Sequence, residues 1–244
     1  MTTAIESSTT LADLVTGHPD LASELERRSL DYCCGGQRTL ADACLAQGLD
    51  PVAVARELTE QASSEASPAP WTHLDGASLV DYLEDTHHAF LHAELPRIAA
   101  LVTKVRGVHG HTHPELVAIE STFGHLRDEL EPHLAKEEQV LFPMIRQLTV
   151  GDPAAPGSAA LVGAIGQMLR EHDHAGALLG RLRALSDGYC VPPDGCASYR
   201  ALYLALETLE ADTHLHVHIE NNRLFPMVAE LGSHADVHKA GTRP

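Results

Sequence analysis

Apolar residues recur at helical spacing along most of the chain. Four long segments carry the pattern, at about 76–106, 115–148, 158–187 and 197–231, with Leu, Ile, Val, Phe or Met three and four positions apart. The breaks between them are Gly107–Pro114, Gly151–Gly157 and Asp187–Cys196. They are rich in Gly, Pro and Asp, which end helices through backbone freedom, a missing N–H or a competing side-chain hydrogen bond. Segments of this length make helices on the order of 40 Å at 1.5 Å rise per residue. Four comparable helices with fairly short connections predict an up-down-up-down four-helix bundle. Runs of β-branched and aromatic residues with period two are missing, so the fold class reads as all-α.

Ahead of the bundle the pattern is shorter in range. Thr10 with Asp13 three residues on predicts a helix start, and Pro19 opens a second helix with Leu21 and Leu25 on one face. The paired glycines of Asp31-Tyr-Cys-Cys-Gly-Gly36 stop that helix. A third helix is expected around Thr39–Gln47 and a fourth from Pro51 to about Glu60. The stretch Ala62-Ser-Ser-Glu-Ala-Ser-Pro-Ala-Pro70 has the composition of a linker. The expected organisation is a small helical N-terminal domain at 1–61, a linker at 62–70, the bundle at 71–232 and a C-terminal tail at 233–244. So small a unit has little core and is expected to lean on another surface.

The bundle segments contain an internal repeat. His133-Leu-Ala-Lys-Glu137-Glu-Gln-Val-Leu141-Phe-Pro-Met144 returns 83 residues later as His216-Val-His-Ile-Glu220-Asn-Asn-Arg-Leu224-Phe-Pro-Met227. Both read H-x3-E-x3-LFPM. The first and third segments echo each other through Glu84-Asp-Thr-His-His-Ala-Phe-Leu91 and Glu171-His-Asp-His-Ala-Gly-Ala-Leu-Leu179. Two helical hairpins therefore repeat, each bringing one lone histidine and one His–Glu pair. Residues four apart on a helix share a face, so His133 with Glu137, and His216 with Glu220, can grip one point. The Leu-Phe one turn on turns that face inward, where an unpartnered His–Glu pair is costly. A metal ion converts the cost into bonds. Four imidazoles and two carboxylates, without thiolate, suit two adjacent ions with bridging carboxylates better than structural zinc.

Adjacent His87 and His88 point about 100° apart, and His88 is selected because it shares a stripe with Leu91 and Leu95. His172 is selected on the third segment with Leu169 and Leu179, leaving Glu171 and Asp173 as supporting partners. His109, His111 and His113 read as a solvated turn rather than a second metal site, and His18, His73, His125, His234 and His238 as surface residues.

Composition adds three constraints. The 17 histidines equal Lys and Arg together, and the formal charge is −17. Such an acidic surface repels phosphate backbones and anionic lipid, so neither nucleic acid nor membrane is expected as a partner. The five cysteines are odd in number, and Cys33 and Cys34 are adjacent, which fits a reducing compartment. The N-terminus lacks the basic and apolar runs of a secretory signal, and no stretch reaches the ~18 apolar residues of a membrane span. A cytoplasmic location is expected. Cys190 and Cys196 read as unpaired loop thiols and Cys44 as a core residue.

Residues 76–231 resemble a hemerythrin-like bundle. Joined to Asp31-Tyr-Cys-Cys-Gly-Gly36, they resemble the repair-of-iron-centres family, through Val108-His-Gly110 with Pro114-Glu-Leu116, Arg170-Glu-His172, and His218-Ile-Glu-Asn-Asn222 before Leu224-Phe-Pro226. The resemblance implies two non-haem iron ions, oxo- and carboxylate-bridged, on His88, His133, Glu137, His172, His216 and Glu220. It implies a functional role for His109 and repair of iron–sulfur clusters damaged by nitric oxide or peroxide, with iron donation as one proposed mechanism. Cys33 and Cys34 are read as a redox pair or transient iron ligands. Damaged iron–sulfur proteins are the implied partners; a homodimer is left open. A di-iron oxidoreductase reducing nitric oxide or peroxide, and an oxygen or nitric oxide sensor or carrier, are the competing readings.

Overall fold

The computed structural model describes residues 4–62, 69–152 and 158–231. Most of the linker, the end of the Gly151–Gly157 break, the C-terminal tail, His234 and His238 lie outside the described residues. Eight helices make up the described chain, with no strand among them. The small unit holds α1 (Leu11–Gly17), α2 (Ala22–Arg27), α3 (Leu40–Ala46) and α4 (Pro51–Gln61). Thr10 caps α1 by accepting from the Asp13 N–H, Thr39 caps α3 from Asp42, and Asp50 caps α4 ahead of Pro51. Pro19 opens a 3-10 turn rather than the helix itself. The second helix also stops earlier than the glycine pair, because Ser29 takes a left-handed φ of 54°.

The four long segments form the bundle. Helix α5 runs Gly76–Leu83, a π turn at Glu84–His88, then Ala89–His109. Helix α6 runs Glu115–Lys136, a π turn at Glu137–Leu141, then Phe142–Thr149. Helix α7 is Ser158–Leu185, and α8 is Ala197–Ile219 followed by a π turn at Glu220–Leu224 and further helix to residue 231. The predicted break at Gly107 begins later, at Gly110, since Gly107 is accommodated within α5. Each long helix packs against the one before it, and α8 closes the ring on α5.

Two apolar layers fill the bundle. One holds Leu95, Ile98, Phe123, Leu126, Leu182 and Leu206; the other holds Trp71, Leu83, Phe142, Ile145, Leu161 and Phe225. Fully burying such side chains contributes about 1.5–3 kcal/mol each. Between the layers lies a belt of buried histidines and glutamates. No described helix is long and apolar enough to cross a membrane.

The small unit leans on α8. Val217 enters its core, and Asn222 donates from Nδ2 to the Cys33 carbonyl at 3.0 Å. His218, wholly buried, donates from Nδ1 to the Tyr32 carbonyl at 3.2 Å and faces Thr16 Oγ1 with Nε2 at 3.3 Å. Burial brings its pKa down to about 4, against the pull of that carbonyl, so the ring is neutral.

Candidate metal centre

Each H-x3-E pair sits where a long helix passes into a π turn. Glu137 and Glu220 are the first residues of their π turns, and Glu84–His88 forms the matching turn on α5. In each turn a backbone N–H reaches five residues back: Ala89 to Glu84, Phe142 to Glu137 and Phe225 to Glu220. The extra residue re-aims the side chains inward, a use of π turns common at functional sites.

The belt converges on two groups that share their carboxylates. One is His88, Glu137, His216 and Glu220, and the other His133, Glu137, His172 and Glu220, with ligand atoms in each within 4.8 Å of one another. Glu137 presents Oε2 to His88 Nε2 at 3.5 Å and Oε1 to His133 Nε2 at 3.3 Å. Glu220 presents Oε1 to His216 Nε2 at 3.2 Å and Oε2 to His172 Nε2 at 3.1 Å. Each carboxylate thus turns one oxygen toward each group, the arrangement of a bridge between two cations.

The outer nitrogens fix the rings. His88 Nδ1 donates to Glu138 at 3.0 Å, His133 Nδ1 to Glu171 at 2.8 Å and His172 Nδ1 to Asn221 Oδ1 at 2.8 Å. With the protons held outside, the Nε2 lone pairs point at the centre, as metal-binding imidazoles require. His216 is aligned differently: His87 stacks on it with ring centroids 5.7 Å apart and planes 8° from parallel, and Asp212 holds His87 Nδ1 at 2.9 Å.

The donor set fits metal. His88 Nε2, His216 Nε2 and all four oxygens of Glu137 and Glu220 are buried without a hydrogen-bond partner. His133 Nε2 and His172 Nε2 face each other at 3.2 Å. Burying and leaving even one carboxylate unpaired costs several kcal/mol, and two cations at these points would satisfy every such atom. Without them, burial pulls the His133 pKa down, but Glu137 and its neighbours outweigh that and push it up to about 9. Burial likewise opposes ionisation of Glu171, but Lys136, Gln167 and His133 bring its pKa down to about 2. Imidazole and carboxylate donors, with no thiolate in the set, suit a first-row ion such as iron. A cavity of about 490 Å³ between α6 and α7 has Lys136 and Arg170 in its lining together with His133, His172 and His216.

All six residues selected from the repeat meet here. His87 is as buried as its neighbour, so both histidines face inward, because the π turn lets successive residues do so. Leu169 is 38% exposed, and Met168 takes its place on the buried stripe of α7. Glu171 supports His133 rather than His172, and Asp173 is exposed. His18 is half-buried, whereas His73 and His125 are exposed. Glu138 and Asn221 escaped the sequence reading, although each directly follows the glutamate of its H-x3-E pair.

His109 does not join the belt. Twenty-one residues of helix, Ala89–His109, separate it from His88, on the order of 30 Å. Cys33 and Cys34 lie nearer. Cys33 is buried, its Sγ is 3.9 Å from that of Cys34, and Asp31 accepts from both backbone N–H groups. Asn221 connects them to the belt, since its Nδ2 reaches the Cys33 carbonyl at 3.4 Å while its Oδ1 holds His172. Cys34 and burial push the Cys33 thiol up, so it is held protonated. Cys44 is buried, and Cys190 and Cys196 are free and exposed.

Residues 79–228 match the family described as Hemerythrin HHE cation binding domain, and residues 7–62 match a Domain of Unknown function (DUF542). Iron-sulfur cluster repair protein ScdA of Staphylococcus haemolyticus is 30% identical over 221 residues, covering 91% of this chain and 98% of the relative. Iron-sulfur cluster repair protein YtfE of Escherichia coli O157:H7 is 33% identical over 216 residues, covering 88% of this chain and 94% of the relative.

Proposed function

The chain belongs to the hemerythrin HHE cation-binding family, and on that premise we propose that it repairs iron–sulfur clusters damaged by nitrosative or oxidative stress, by holding iron and donating it. The observation that carries this reading is the sharing of Glu137 and Glu220 between two imidazole pairs. One ion would rest on His88 and His216, the other on His133 and His172, with both glutamates and an oxide between them. Iron is here the cargo. Each ion would have four protein donors, which would leave positions open for exchange through the cavity beside Lys136. Glu138, Glu171 and Asn221 keep the Nδ1 protons outside and the Nε2 lone pairs on the ions.

Asp31, Cys33 and Cys34 would offer iron a transient stop, or electrons, beside His172. A thiol pair with this task needs a reducing setting, in keeping with a cytoplasmic location. Damaged iron–sulfur proteins are the proposed partners; the acidic chain disfavours nucleic acid, and pairing with a second copy is an option the mechanism does not use.

The open cavity favours one second reading, an oxidoreductase that takes two small molecules such as nitric oxide or peroxide at the two ions. A hydro-lyase whose cluster has been damaged by nitric oxide distinguishes the two. Recovery of its activity with loss of iron from this protein supports donation; nitrous oxide formed or peroxide consumed over repeated turnovers with a supplied reductant, with iron retained, contradicts donation and supports the oxidoreductase.

A further inference from the structure

Three of the four belt imidazoles have an outer partner, and the partners differ in what holds them. Glu138 and Glu171 are anchored within the bundle, the first by His92 and the second by Lys136 and Gln167. Asn221, the partner of His172, reaches out of the bundle instead. It lies half-buried in the π turn of α8, between the belt and the small unit. Its Oδ1 is 2.8 Å from His172 Nδ1, and its Nδ2 is 3.4 Å from the Cys33 carbonyl.

The sense of this amide follows from the metal. An ion on His172 Nε2 takes that lone pair and leaves the ring proton on Nδ1. That N–H needs an acceptor, so Asn221 turns Oδ1 toward it. The planar amide then carries Nδ2 to the other side, where the Cys33 carbonyl accepts. Without the ion the ring can carry its proton on either nitrogen. With the proton on Nε2, Nδ1 becomes an acceptor and calls for Asn221 Nδ2. Oδ1 would then face the Cys33 carbonyl, acceptor against acceptor. One amide therefore has two senses, and only the sense set by a filled centre grips the turn carrying Cys33 and Cys34. Asn222 grips the same turn in another way. It donates to the Cys33 carbonyl at 3.0 Å and accepts from Gln37 at 3.1 Å, and its bonds to the bundle go to His218 rather than to the belt.

We propose that Asn221 is a positioning residue that couples the His133–His172 half of the centre to the docking of the small unit. A filled centre closes the dock over Cys33, and an empty one loosens it. Linkage makes the coupling reciprocal. A partner that draws the Cys33–Cys34 turn off α8 therefore weakens the hold on the ion beside it. The consequence for function rests on the donation reading: iron is let go when a client engages the two thiols.

The test follows alkylation of buried Cys33 by peptide mass in the full-length protein, metal-free and loaded with manganese(II), a hard cation that favours carboxylate over thiol. Manganese should slow the reaction about fivefold or more in the wild type, the lower end of the usual coupling range. Asn221→Ala should lose that dependence and yield metal to a chelator about 10–100-fold more readily. Asn221→Asp should recover the grip on metal, because a carboxylate on Nδ1 is what His88 and His133 have. It should not recover the dependence, because it has no proton for the Cys33 carbonyl. Asn222→Ala should speed alkylation in both states and keep their ratio, as a purely structural contact would. Equal rates with and without manganese in the wild type, or a dependence kept in Asn221→Ala, overturn the coupling. No client and no iron transfer enter this test, so its failure leaves donation to be judged by recovery of the damaged hydro-lyase.

Discussion

At the residue scale the buried centre depends on atoms that never touch metal. Glu171 holds the His133 ring and is itself anchored by Lys136 and Gln167, and Glu138 serves His88 and His92 together. Removing such a partner typically lowers metal affinity about 10–100-fold. Glu171→Ala and Glu138→Ala should each fall in that range by competition with a chelator, with helix content unchanged. Iron retention equal to wild type would show that the rings are held by something else. The distal thiol has its own signature. The backbone N–H of Tyr199 and the His109 ring bring the Cys196 pKa down to about 7. Thiolate is the reactive form, so lowering the pKa moves alkylation to lower pH. In metal-free protein the rate should rise through a midpoint near pH 7, and His109→Ala should move that midpoint upward; a midpoint unmoved by the substitution contradicts the contact.

At the element scale the π turns decide where ligands point. The H-x3-E spacing was legible because two residues one helical turn apart share a face whether or not the helix later bulges. The bulge itself was not legible. Nothing in Glu137-Glu-Gln-Val-Leu141 distinguishes a π turn from ordinary helix; the tertiary gain from aiming both Glu137 and Phe142 inward selects it. The same cause defeats the expectation that only one of His87 and His88 faces inward, although His88, as selected, is the one that reaches the centre. Deleting exposed Gln139 removes the extra residue and returns α6 to regular helix, with Phe142 and Ile145 kept in register and the Glu137–Leu141 turn re-aimed. The apolar layer is kept and the aim of Glu137 is lost. The deletion should lower iron retention against a chelator about 10-fold or more with helix content kept, whereas Gln139→Ala should leave retention nearly unchanged. Equal retention by both would mean that the π turn does not aim the ligand.

At the scale of the whole molecule, the small unit and the bundle meet along α8, which carries His216 and Glu220 on one face and Val217, His218 and Asn222 toward the small unit. That division explains the alternation of His214, His216 and His218, in which His216 faces the belt while His214 and His218 face the small unit. The need of the small unit for a surface was visible in its size, but which surface it takes depends on contacts between residues nearly two hundred apart. Gly36 marks the tightest approach, because a Cβ there would lie 2.6 Å from the Tyr32 carbonyl and 2.7 Å from Asn222 Oδ1. Gly36→Val should therefore destabilise by about 1–3 kcal/mol, the usual range for overpacking, and speed proteolytic cleavage between the two units. Unaltered cleavage would contradict the close docking.

The claim on which the rest depends is that two iron ions share Glu137 and Glu220. The most direct test is iron per chain, by elemental analysis after anaerobic loading and desalting, in the wild type and in His133→Ala/Glu137→Ala. Two ions per chain in the wild type and a loss of both in the double variant, since Glu137 serves each, is the expected result. Two ions retained in the double variant would contradict the assignment of the centre.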